Sequence, residues 1–183
     1  MQERKKNGPL VWIDLEMTGL DISKDVILEV ASIITDGNLN IVAQGPLYVI
    51  HQSEKHLVGM NEWCQNQHTK SGLVNAVRQS TTSLEHACAK TLQFIRTHCE
   101  LQTGVLCGNS VWQDRIFLAK YMPEIVDYLN YRIIDVSSFK DAIGRWYPAD
   151  KHNTFKKGDT HRAHDDIKES IAELKHYRKY FFV

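Results

Sequence analysis

The chain has 183 residues, 43% of them apolar and 24% charged, a balance that fits one folded domain over 1–183 and excludes fibrous, coiled-coil and low-complexity classes. Its 22 Lys plus Arg offset 22 Asp plus Glu, so the formal net charge is +0 and the cation excess that holds long nucleic acid is missing. Residues 1–8 are expected to form a flexible N-terminal lead. Leu10 to Glu16, Val26 to Thr35 and Ile41 to Ile50 are rich in Val, Ile and Leu, and turn signals at Thr18-Gly19 and Asp36-Gly37-Asn38 separate them, which predicts three strands in a meander. Helical periodicity then runs from residue 53 to about 99. A short strand at Val105 to Cys107, a helix from Ser110 to Met122, a strand at Arg132 to Val136 and two further helices follow. The predicted class is α/β, a mixed sheet with helices packed on it. Cys64, Cys88, Cys99 and Cys107 show no C-x-x-C spacing and are expected to be free thiols. Arg4, Lys5 and Lys6 precede an apolar run too short for a signal core, and no uncharged stretch could span a bilayer. A soluble, cytoplasmic protein without membrane contact is expected.

Several carboxylates interrupt the apolar pattern. In the strand LVWIDLEM, Asp14 and Glu16 are two apart and leave the same face, about 6 to 7 Å from each other. A strand-end Asp can cap a turn and Glu16 can face water. Two acids ending so apolar a strand nevertheless repel each other and lose hydration unless cations neutralise them. The helix of VWQDRIFLAKYM buries Val111, Phe117, Leu118 and Tyr121 at spacings of three and four, and Asp114 falls in that stripe. Arg115 points about 100° away and is a poor partner within the helix, which leaves a salt bridge from another element as the structural alternative. In the last helix Ala163, Ile167, Ser170, Ile171, Leu174 and Tyr177 form the inward stripe, and Asp166 lies on it. Asp165 shares its face with Lys168, Glu169, Ala172 and Glu173, which reads as solvated. Four inward acids that can converge over one sheet form an all-oxygen ligand set for two divalent ions, Mg²⁺ or Mn²⁺. Such ions suit hydrolysis of a phosphodiester, which also needs a proton acceptor. His161, five residues before Asp166, has an imidazole of suitable pKa. His164 competes with it, and a zinc site made of His161, His164 and a carboxylate is the alternative at this point.

These residues resemble the DEDDh group of 3′→5′ exonucleases: a D-x-E in the first strand, an Asp in a middle helix and a late H-x-x-x-x-D. Within that group WIDLEMTGLD, the Gly108 to Arg115 stretch, YRIIDVSS and THRAHDDIKESIAEL are similar to the oligoribonuclease family, from about Leu10 to Tyr180. The resemblance implies an RNase H-like five-stranded sheet flanked by helices. It implies hydrolysis of very short RNA, dinucleotides above all, to 5′-mononucleotides with two divalent metals, and a homodimer that forms no stable complex with long nucleic acid. Carried over by motif, Asp14, Glu16, Asp114 and Asp166 would be metal ligands and His161 the general base. Leu20 and Trp63 would stack on or wedge the bases. Ser110, Arg132 and Ser137 would close on a 5′ phosphate, with His68 nearby and Tyr131 contributed by the other subunit. Ser110 and Ser137 stand where helix N-termini would add N–H donors, and Arg132 can fork a phosphate. Asp135 reads as a structural cap. Position 164 departs from the family, being usually apolar and here His. An enzyme of the same group that trims longer RNA or DNA 3′ ends is the other reading.

Overall fold

The computed structural model describes residues 8–156, 158 and 162–182. The first strand, β1 (Leu10–Met17), is flanked by β2 (Ile27–Thr35), which pairs in turn with β3 (Ile41–Val49), all antiparallel as the meander predicts. The 53–99 stretch resolves into four helices, α1 (Glu54–Val58), α2 (Glu62–Lys70), α3 (Leu73–Gln79) and α4 (Leu84–His98). The breaks fall at residues that end helices: Gly72 sits at φ 77°, and Asn61 and Ser83 cap the elements that follow them. Next come β4 (Val105–Gly108), α5 (Val111–Tyr121), α6 (Pro123–Tyr128), β5 (Ile133–Asp135), α7 (Val136–Trp146) and α8 (Ala163–Phe181). Helix α6 is absent from the sequence reading. Pro123 has no N–H to continue α5 but is pre-set for a first helical turn, so one helix stops and another starts there. The expected strand at 132–136 shortens because Val136 already belongs to α7.

The sheet order is β3-β2-β1-β4-β5, with β4 parallel to β1 and β5 parallel to β4, so the mixed five-stranded sheet stands as expected. Alternation along β1 sorts its side chains. Val11, Ile13 and Leu15 enter the core beneath α4, α5 and α6, while Leu10 and Trp12 enter the opposite core with Ile143, Ile167 and Ile171. Asp14 and Glu16 continue the second row. Pairing of β1 with β4 ends at Trp12↔Cys107, so both acids project beyond the end of the parallel neighbour, in the crevice at the carboxyl edge of the sheet where ligands of such sheets bind. Helix α8 crosses that face and brings Asp166 to the same end. Its far side corrects one expectation: Glu173 is fully buried, not solvated, because Tyr177 Oη and Asn109 Nδ2 donate to its two oxygens at 3.0 and 2.9 Å. Among the described residues no helix is long and apolar enough to cross a membrane. The four cysteines are free and buried.

Candidate active site

Asp14 and Glu16 from β1 and Asp166 from the first turn of α8 each offer a carboxylate oxygen, and these atoms lie within 4.8 Å of one another. All three side chains are half-buried. Asp165, next in sequence to Asp166, is exposed and pairs with Lys168 at 3.6 Å, so helical phase separates the two acids as predicted. Asp114 departs from the expected joint quartet among the described residues: it stands beside the three rather than within their group. Its Oδ1 accepts a hydrogen bond from the Leu15 N–H at 3.0 Å, which ties it to the backbone between the two strand acids, and its side chain is buried.

Burial and neighbouring charge raise the proton affinity of Glu16. Burial first, then the negative charges of Asp166, Glu29 and Asp114, push the Glu16 carboxyl from 4.5 up to about 8. Burial also raises Asp114, against the lowering effect of its bond from Leu15. Arg162 is the cation that counters part of this at Glu16. It reaches the site through Glu29, which lies opposite Glu16 in the β1–β2 register and is fully buried. The Arg162 guanidinium donates to Glu29 from Nε at 3.2 Å and Nη2 at 2.7 Å, and the Ala163 N–H adds a third bond at 3.1 Å. One carboxylate thereby fixes the start of α8 against the sheet. Sequence reasoning missed Glu29, although an acid inside the largely apolar run ILEVASIIT signals a buried partner.

His161 lies outside the described residues. His164 is half-buried, and its Nε2 has no hydrogen-bond partner among the described residues. His68 is buried beside the acids, with Nε2 at 2.9 Å from the Met17 carbonyl and Nδ1 at 3.8 Å from Glu16 Oε2. A ring nitrogen facing a carbonyl must carry the proton, so Nδ1 meets Glu16 favourably when one of the two is protonated.

The remaining expected residues lie in loops and at helix starts. Leu20 and Trp63 are 66% and 63% exposed, which argues against ordinary core packing for either. The Leu20 loop is held rigidly: Asp25, itself buried, accepts from Thr18 Oγ1 at 2.8 Å and from the Asp21 N–H at 2.9 Å, and a Cβ on Gly19 would collide with it. Gln113 Nε2 donates to the Leu20 carbonyl at 3.2 Å. Ser110 and Ser137 meet at the starts of α5 and α7, their hydroxyl oxygens 3.1 Å apart. Their backbone N–H groups do not point outward as expected; both donate to Asp135 Oδ1, each at 2.9 Å. The pair therefore presents hydroxyls, not main-chain donors. Arg132 and Tyr131 are exposed, with the guanidinium 4.6 Å from the ring centroid.

A group of three carboxylates from β1 and α8 matches the all-oxygen donor set of a hard divalent cation. The residues fit such ions, and a cation between them would relieve the repulsion that lifts Glu16.

Residues 11–174 match the sequence model of the exonuclease family RNase_T. The chain is 52% identical over 172 residues to the oligoribonuclease of Pseudomonas aeruginosa, covering 94% of this chain and 95% of that protein. It is 48% identical over 182 residues to the oligoribonuclease of Idiomarina loihiensis, covering 100% of this chain and 99% of that one. In fold it is similar to E. coli exonuclease I in complex with an oligonucleotide, with a TM-score of 0.73 and 13% identity over 95% of this chain and 41% of that one.

Proposed function

Because the chain belongs to the RNase_T exonuclease family and, within it, to the oligoribonucleases, we propose that it hydrolyses short RNAs from the 3′ end, dinucleotides above all, releasing 5′-mononucleotides. The observation that carries the reading is the meeting of Asp14, Glu16 and Asp166 at the carboxyl edge of the sheet. These three acids and Asp114 would hold two divalent ions, Mg²⁺ or Mn²⁺. When bound, the ions supply Lewis acidity at the scissile phosphate and lower the pKa of the attacking water.

The protein's own groups do the rest. His161 takes the proton of the attacking water on an imidazole nitrogen. Arg162, the residue after it, is anchored to Glu29 and so fixes where the chain enters α8. Leu20 and Trp63 stack on or wedge between the bases. Ser110 and Ser137 donate hydroxyl hydrogen bonds to a 5′ phosphate that Arg132 forks, and His68 bounds the site on the Glu16 side. In a homodimer Tyr131, 70% exposed, reaches the neighbouring copy's pocket. We place this single catalytic domain in the cytoplasm.

Contacts of this kind would read an end, not a length of backbone, and the neutral charge balance accords with that. Dinucleotide, tetranucleotide and twenty-nucleotide RNAs offered separately with Mn²⁺ test it. Rates should fall with length. Equal or faster attack on the longest strand would favour the other reading, an enzyme that trims longer RNA or DNA ends.

A further inference from the structure

Asp135 has two structural tasks, and a helix cap accounts for one of them. It ends β5, lies opposite Gly108 in the β4–β5 register, and is the N-cap of α7, accepting from the Ser137 N–H at 2.9 Å. The same oxygen also accepts from the Ser110 N–H at 2.9 Å, so one atom joins the starts of α5 and α7, two helices that follow two neighbouring parallel strands. Ser110 is held at φ 48°, a left-handed conformation that residues with a side chain rarely adopt, and its N–H is shared between Asp135 Oδ1 and Ser137 Oγ at 2.9 Å. Ser137 Oγ thus accepts from the backbone of Ser110 and lies 3.5 Å from Asn109 Nδ2, which leaves its proton to be donated elsewhere. The outcome is a pair of hydroxyls facing one another at 3.1 Å, with both adjacent main-chain donors consumed by a carboxylate.

We propose that Asp135 is a positioning residue for recognition of the substrate's 5′ end: it ties the two helix starts together so that Ser110 and Ser137 offer hydroxyls as a fixed pair. This rests on the reading above, that the pair receives a terminal phosphate. The role belongs to the acceptor atom rather than to the charge. A carboxylate beside a phosphate pocket is tolerable because two N–H groups already satisfy it, and an amide oxygen in the same place would accept the same two bonds.

The test compares kcat/KM for a 5′-phosphorylated dinucleotide with that for its 5′-hydroxyl counterpart. Using the ratio of the two cancels any general loss of folded enzyme. Wild type should favour the phosphorylated substrate. Asp135→Ala should lower the preference about tenfold through KM, the scale of one charge-assisted hydrogen bond. Asp135→Asn, which keeps the acceptor, should retain the preference or increase it. If the Ala variant fails to fold, Asp135→Glu, with the charge kept and the acceptor displaced, should show the same loss. A wild-type ratio near one removes the pocket reading and this proposal with it. A clear wild-type preference that survives in Asp135→Ala or Asp135→Glu, or that is lost equally in Asp135→Asn, overturns the role of Asp135 alone.

Discussion

Glu16 shows how one side chain can hold a site ready at a cost to stability. Burial and neighbouring acids raise its folded-state pKa from 4.5 to about 8 in the absence of a cation. The folded protein therefore binds this proton more tightly than the unfolded chain does. The stabilisation is complete below a pH of about 4.5 and is lost as the pH rises through about 8. In metal-free protein, the unfolding free energy of wild type relative to Glu16→Gln should decline across that window, by up to about 1.4 kcal/mol per pH unit. Urea titrations at several pH values measure it. A flat difference would mean that neither burial nor the neighbouring acids raise Glu16 in the folded protein. Added Mn²⁺ should reverse the trend, because the ion competes with the proton and gains as the proton leaves.

At the level of elements, the site depends on how α8 is attached to the sheet. Glu29 on β2 grips Arg162 and the Ala163 N–H at the helix start, four residues ahead of Asp166. Arg162→Leu leaves the Glu29 carboxylate buried with one backbone donor, and breaking a buried pair in this way costs about 3 to 5 kcal/mol. The urea midpoint should fall accordingly, and an unchanged midpoint would show that the clamp does not hold the helix. This attachment also marks how far the sequence can be read. The meander, the parallel strands and the phase of α8 were legible because apolar periodicity reports which face is buried, and the same periodicity distinguished Asp166 from Asp165. Periodicity weighs polarity, not partners, so it put Glu173 in solvent when Tyr177 and Asn109 make its burial tolerable. It was blind to Glu29 for the same reason. Helix α6 went unread because Pro123 signals a stop and a start alike. The clustering of Asp14, Glu16 and Asp166 was legible from their misfit, whereas the roles proposed for Leu20, Trp63 and the serine pair come only from family resemblance, since an exposed Trp or a helix-start Ser is common without any function.

For the whole molecule, residues separated by some 150 positions in the chain come together at one edge of a five-stranded sheet. The sheet order accounts for this: β1 is central, its carboxyl end outreaches β4, and α8 returns across the same face. A formal net charge of +0 accords with the proposed short substrate, which would carry few phosphates. The proposed chemistry requires joint chelation by Asp14, Glu16 and Asp166, with Asp114 alongside. Anomalous diffraction from a crystal soaked in Mn²⁺ addresses that directly. Two peaks bounded by these four carboxylates are the predicted result; a well-soaked crystal with no peak there, or with manganese held elsewhere on the protein, would contradict it.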